Sequence, residues 1–394
     1  MTNEPETLPD CSAFPRSLVA GLDRGHLPSL DGIRAIAAFM VVFYHLNVLW
    51  ISGGTGVLVF FVLSGFLITW LLLKEEEQFG KLSLRLFYMR RTLRIMPAFY
   101  VYWFLIVGSL IAFSKHLHIA QAVSSFFYVN NYYQAVFGDP NTGLSHTWSL
   151  GVEEQFYLLW PICFILLKRN QNRLRFLLCA TAGVWIYREL LVFVFHDPQG
   201  YIYEAFDTRA DHLMIGCLLA VALKEKAWPR IWSALTAIPN LIWVTFAALL
   251  CSGAAEHFLG VRYRDGVGFI LEPILAAALI VQGVAHGSSG LGRILNWSWV
   301  SYLGAISYSI YLYHPISIGI GRRLAHKLPL VSEIAALAVV IIVSSLSYLI
   351  VEKPMLRLRS SLLAGQRGKA SWSEPDSAAE LVIGKDAVNT SVVP

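Results

Sequence analysis

Apolar runs long enough to cross a bilayer follow one another along most of this chain, and they leave it little choice of fold. A spanning helix needs ~20 apolar residues to cross a ~30 Å hydrocarbon core, because lipid offers the backbone no hydrogen-bond partner of its own. Ten such runs are legible, at 33–50, 54–73, 95–113, 148–167, 176–195, 210–223, 231–252, 267–285, 300–320 and 331–351, the sixth of them short. The chain is 56% hydrophobic and 14% charged, against about 25% charged in soluble domains. The expected fold class is all-α: a polytopic integral membrane protein with about ten transmembrane helices in one bundle.

Charge supplies the topology. Six Lys and Arg fall in 74–94, four in 168–175 and three in 224–230, with six more from Lys353 onward. That one-sided excess predicts an even number of spans with both termini in the cytoplasm. Residues 1–29 carry Asp10, Arg16, Asp23 and Arg24 but no apolar signal-peptide core, so they read as an uncleaved cytoplasmic leader. Residues 30–358 form the membrane domain and 359–394 a cytoplasmic tail. From about 366 the tail loses its hydrophobic period and gains Ser, Asp and Glu, which predicts disorder and no appended soluble catalytic domain. The net charge of +5 is scattered between apolar runs, which argues against nucleic acid as a partner. Of the five cysteines, Cys163, Cys179, Cys217 and Cys251 fall in apolar segments and Cys11 in the leader, without CxxC or metal-type spacing, so no structural metal or disulfide is expected.

Ionisable groups inside spans are costly, and they mark function. Arg34 and His45 in LDGIRAIAAFMVVFYHL are eleven residues apart. At ~100° and ~1.5 Å per residue they share a helix face with ~16 Å of rise between them. Arg34 is expected at the cytoplasmic edge and His45 about halfway across the bilayer. A histidine there can act as a general base, accepting a proton from an attacking hydroxyl near neutral pH. In YMRRTLRIMPAFY, Arg91 and Arg94 lie three apart at the cytoplasmic entry to the third span, with Arg90 beside them. Their guanidinium forks and the adjacent helix N-terminus suit a phosphate-bearing cytoplasmic ligand, although positive-inside topology alone would also place arginines here.

In SHTWSLGVEEQFYLLWP, His146, Ser149, Glu153 and Tyr157 follow offsets of zero, three, seven and eleven and form one polar stripe. Glu154 is turned ~100° away. If Glu153 faces a cavity it can orient or charge-pair an imidazole. Arg209, Asp211, Glu272 and His314 are further ionisable groups at or within spans, and together they predict a wet interior cavity. Gly53, Gly54, Gly56, Ser64 and Gly65 are expected to permit close helix packing. VLSGF lacks the GxSxG pattern of a hydrolase elbow, which leaves a covalent serine without support.

With these residues in view, the chain resembles the family-3 membrane acyltransferases, a group of bacterial O-acetyltransferases of surface glycans and related acceptors. The resemblance runs from LDGIRAIAAFMVVFYH at 30 to VEKP at 351. It rests on the Arg, ten residues, His pattern, on GVLVFFVLSGFLIT, on the RxxR at Arg91 and Arg94, and on HTWSLGVEEQFYLLWP, TRADHLMIGCLLA and SYSIYLYHP. It implies a bacterial cytoplasmic (inner) membrane enzyme with no permanently bound cofactor. The donor would be a cytosolic acyl-CoA, acetyl-CoA being the commonest in the family. The acceptor would be a hydroxyl of a glycan, a lipid-linked sugar or a small molecule. Carried over, His45 is the catalytic histidine and Arg34 its partner, with Glu153 or Glu154 in support. Arg91 and Arg94, with Arg90, would bind the coenzyme A phosphates. Two rivals share parts of this pattern: a transporter with an intramembrane polar pathway, and a haem protein with His45 and His314 as axial ligands.

Overall fold

The computed structural model describes residues 14–24, 27–47, 50–195, 199–325 and 329–367. The first thirteen residues, Cys11 among them, and the tail beyond 367 with its expected disorder lie outside the described residues. Among these the fold is all-α, without strands. The long helices are α1 (Pro28–His45), α2 (Gly53–Phe79), α3 (Leu84–Ala112), α4 (Trp148–Leu166), α5 (Asn170–Leu190), α6 (Phe206–Lys224), α7 (Leu241–Leu259), α8 (Phe269–Ala285), α9 (Ser307–Leu324), α10 (Pro329–Ser347) and α11 (Lys353–Arg367). Each expected span overlaps one of the first ten. Six stretches are long and apolar enough to cross a membrane by length and composition: Gly53–Phe79, Leu84–Ala112, Asn170–Phe195, Leu241–Leu259, Val261–Ala285 and Leu330–Leu362. The last runs through a π-helical turn at Tyr348–Glu352 into α11, so the expected boundary between membrane domain and tail falls inside a helix.

Helix ends follow local chemistry. Pro28 opens α1 at its first turn, and Asn47 in the left-handed region (φ 54°) closes it just after His45. Ser52 caps α2 by accepting from the Thr55 amide at 3.3 Å, and Gly80 at φ 65° ends it. The first helix therefore stops five residues short of the expected end at 50. His45 is the last residue of α1, and its side chain is exposed.

α2 is the axis of the bundle. Its apolar window is 83% buried, against 28% for α3, α7 and the Leu330–Leu362 stretch, which lie at the outside of the bundle. A Cβ on Gly65 would lie 1.9 Å from the Leu213 carbonyl oxygen, and one on Gly216 would lie 2.0 Å from that of Val62. Only glycine lets α2 and α6 approach so closely, as the sequence led us to expect of Gly65. Gly56 does the same against α1, beside the Ala37 carbonyl. At its C-terminal end α2 fans three consecutive carboxylates to three helices: Glu75 pairs with Arg90, Glu76 with Arg173 at 2.6 Å, and Glu77 with Lys224 at 2.5 Å. This end is called the basic end below, and the end where α1 passes into α2 the far end.

Candidate active site

One face of α2 is packed shut against α6, and the other borders a cavity of about 110 Å³. Val57, Phe60, Phe61, Ser64, Leu67, Trp70 and Leu71 supply its long wall, recurring at helical spacing. Arg34 closes it from α1, Arg91, Arg94 and Ile95 from α3, Ser149, Leu150, Glu153 and Tyr157 from α4, and Ser307, Tyr308 and Tyr311 from α9. From Trp70 to Val57 the wall runs ~20 Å at the rise of a helix, which makes the cavity a narrow passage.

The basic end of the passage holds the arginines. Arg34 donates to Asp31 at 3.2 Å, one turn back on α1. Arg91 lies over the rings of Tyr157, at 5.3 Å, and Phe87, at 5.9 Å. Neither Arg91 nor Arg94 has a hydrogen-bonded acceptor among the described residues, a costly state for a guanidinium in a bundle interior and one an incoming anion relieves. Arg90, expected to join them, is turned aside into its ion pair with Glu75 and does not line the passage.

The α4 stripe is present as expected, with Ser149, Glu153 and Tyr157 all on the cavity wall. Glu153 is the carboxylate that faces in, and it accepts from Ser64 Oγ at 2.8 Å rather than from an imidazole. Glu154 points away, and its Oε1 is buried without a partner among the described residues. The small size of Ser64 predicts a packing role. It stands instead on the passage face of α2, three residues from both Phe61 and Leu67, a placement that its size alone does not signal.

Toward the far end the passage reaches Ser149 and Tyr311, whose hydroxyls share a short hydrogen bond. Tyr311 also donates to the His146 carbonyl at 2.9 Å. Beyond them stand three imidazoles in a row. The rings of His146 and His314 are 5.3 Å apart and those of His314 and His45 4.8 Å. His314 donates from Nδ1 to the Tyr311 carbonyl at 2.6 Å and His146 from Nε2 to that of Leu312 at 3.1 Å. Each fixes one tautomer and leaves the other ring nitrogen buried and without a partner among the described residues. His45 ends the row, where its own carbonyl accepts from Arg322 at 3.3 Å. As placed, the ring centroids of His45 and His314 are closer than those of two imidazoles each bound ~2.0 Å from one metal on opposite sides.

Of the remaining charges expected to share one interior cavity, Arg209, Asp211 and Glu272 do not line this passage. Asp211 is bonded by Arg188 and Trp185, both at 2.9 Å, and Glu272 by Thr55 at 2.8 Å and Ser252 at 3.2 Å. Arg209 is fully buried over Phe269, at 3.9 Å, within a cage completed by Tyr203, Trp148 and Phe61. Asp211 and Glu272 thus have bonded partners, whereas the guanidinium nitrogens of Arg209 have none among the described residues and rest on ring faces alone.

Residues 27–349 match the family described as acyltransferase domain. The chain belongs to this family. The acyltransferase domain thus takes in the whole passage and the imidazole row. Relatives include the putative peptidoglycan O-acetyltransferase YrhL of Bacillus subtilis, 34% identical over 84% of this chain and 55% of the relative. The peptidoglycan O-acetyltransferase OatA of Listeria monocytogenes is 33% identical over 84% of this chain and 56% of its own. A putative O-acetyltransferase of Staphylococcus aureus is 30% identical over 84% and 57%. The chain spans little more than half the length of these relatives. No solved structure matches it. Within this acyltransferase domain, guanidinium groups stand at one end of the passage, and three imidazoles lie beyond the other.

Proposed function

We propose that the chain is a membrane O-acetyltransferase that moves an acetyl group from cytosolic acetyl-CoA to a hydroxyl of a glycan, with His45 as general base. The observation that carries this reading is a passage that runs from Arg91 and Arg94, which have no bonded acceptor among the described residues, to Ser149 and Tyr311, where the Tyr311 hydroxyl bonds the backbone of His146 in the imidazole row. The phosphates of coenzyme A would rest at the basic end, on Arg91 and Arg94, with Arg34 further in. The nucleotide would stay at the basic end while the flexible pantetheine arm carries the thioester past Ser64 and Glu153 toward Tyr311. At the far end His45 takes the proton of the acceptor hydroxyl as its oxygen attacks the thioester carbonyl. The C–S bond then breaks, and the thiolate leaves with a proton returned from the imidazolium. Holding both reactants in one passage supplies the orientation on which such transfers depend.

The one-sided distribution of Lys and Arg supports a cytoplasmic basic end and a bacterial cytoplasmic membrane location with both termini inside. The exposed position of His45 at the far end supports an extracytoplasmic acceptor, and the names of the relatives support peptidoglycan as its class. The test is transfer of label from acetyl-CoA to glycan in isolated membranes. His45→Ala is expected to abolish transfer while the protein remains folded, and full activity in that variant overturns the assignment. Replacement of Arg91 and Arg94 together is expected to raise the donor KM, and an unchanged KM removes their phosphate role.

A further inference from the structure

The arginines at the basic end do not all come from the passage wall. α10 leaves the far end, where Arg322 pairs with Glu333, and its continuation α11 reaches the basic end and packs on α3. There Arg359 is 7% exposed, and its Nε is buried without a hydrogen-bond partner among the described residues. It stands within electrostatic range of Arg90, Arg91 and Arg94. None of the carboxylates Glu75, Asp31 and Glu352 bonds it: Glu75 holds Arg90, Asp31 holds Arg34, and Glu352 accepts from Ser309. A buried guanidinium set among like charges, with no bonded acceptor, is an arrangement that an anion stabilises.

Arg359 does not line the passage, so it lies outside the part that the thioester arm would enter. In coenzyme A the diphosphate joins the pantetheine arm directly, whereas the ribose 3′-phosphate is the anionic group further from the thioester. We propose that Arg359 forms a second phosphate subsite, separate from Arg91 and Arg94, that receives the 3′-phosphate of the donor nucleotide. This rests on the acetyl-CoA reading above. It gives the donor site two anion-binding centres on different helices, α3 for the diphosphate and α11 for the 3′-phosphate. It also gives the terminal helix a role in choosing coenzyme A over carriers that lack that group.

The test is calorimetric binding of coenzyme A and of 3′-dephospho-coenzyme A to the purified full chain in phosphatidylcholine nanodiscs. The wild type is expected to bind coenzyme A about tenfold or more tightly than the dephospho form, the discrimination of one charge-assisted pair. Arg359→Gln is expected to erase that preference by weakening coenzyme A alone, and Arg359→Lys to restore part of it. Equal weakening of both ligands, or no change in either, overturns the subsite. Wild-type binding of both with equal affinity overturns it too, while leaving the donor reading intact. If the wild type binds neither ligand, the donor reading falls and the subsite with it. A repeat with phosphatidylglycerol separates the other source of phosphate. Loss of lipid retention in Arg359→Gln, with nucleotide affinities unchanged, would assign the residue to a headgroup and refute the proposal.

Discussion

Arg90 and Arg94 are one helical turn apart, carry the same charge, and should respond in opposite ways to the same substitution. Arg94 has no hydrogen-bonded acceptor among the described residues and lies within range of Arg34, Arg91 and Arg359. Arg94→Gln therefore breaks no bond and leaves Glu352 with its Ser309 partner, and the repulsion it relieves offsets the attraction to Glu153 and Glu352 that it gives up. Stability should be unchanged or slightly higher. The donor, however, loses a charge-assisted bond of about 1.5–3 kcal/mol, which is about a ten- to hundredfold rise in its KM. Arg90→Gln does the reverse. It strips Glu75 of its cation and loosens the clasp between α2 and α3, at a cost of about 1 kcal/mol for a partly exposed pair, and it leaves KM within about twofold. The assays are thermal unfolding in detergent followed by tryptophan fluorescence, and initial rates against acetyl-CoA concentration in the same preparations. Destabilisation by Arg94→Gln with an unchanged KM, or the same profile for both variants, would refute the division into a binding and a structural arginine.

Three further outcomes test other parts of the bundle. Gly65→Val should prevent folding or insertion, because the new side chain meets the Leu213 backbone, which cannot yield without parting α2 from α6. The check is the folded fraction by size-exclusion chromatography, and a monodisperse, active variant would show that the contact is not required. Ser64→Ala leaves the Glu153 carboxylate without its hydroxyl donor and should cost about 1–3 kcal/mol, read as a lower unfolding midpoint. Tyr311→Phe removes the bonds to the His146 carbonyl and to Ser149. It should lower turnover severalfold with an unchanged donor KM, since those bonds hold the far end of the passage and not its mouth.

The spans were legible because lipid enforces one rule on every backbone group, and apolar length reports it directly. The polar stripe of α4 was legible for a related reason, since helical periodicity alone puts Ser149, Glu153 and Tyr157 on one side. What periodicity cannot supply is the partner across the interface. Nothing local distinguishes Ser64, which faces the passage, from Gly65, which packs on α6, because the two are adjacent and both small. Likewise Arg90 and Arg91 adjoin in sequence, and only the position of Glu75 on another helix turns one of them away. The end of α1 was misplaced because the apolar run continues through Val48, Leu49 and Trp50, while a single left-handed Asn47 stops the helix. Arg359 carried no signal of its own beyond one charge in a basic tail.

The unequal treatment of the two faces of α2 explains how one bundle can be both rigid and hollow. Close contact of α2 with α6, through Gly65 and Gly216, anchors the central helix on one side without help from the other. The opposite face can then retreat behind Phe60, Phe61 and Leu67 and leave a passage, because the packing that stabilises α2 is already made. Aromatic rings of Tyr157, Tyr308 and Tyr311 prop the walls apart, each bulky enough to resist collapse and each with a hydroxyl for polar company. Under the proposed mechanism this geometry keeps the nucleotide and its phosphates at the arginines while only the uncharged acyl-bearing arm advances. The glycan would meet His45 from the other side, so neither charged partner crosses the hydrocarbon.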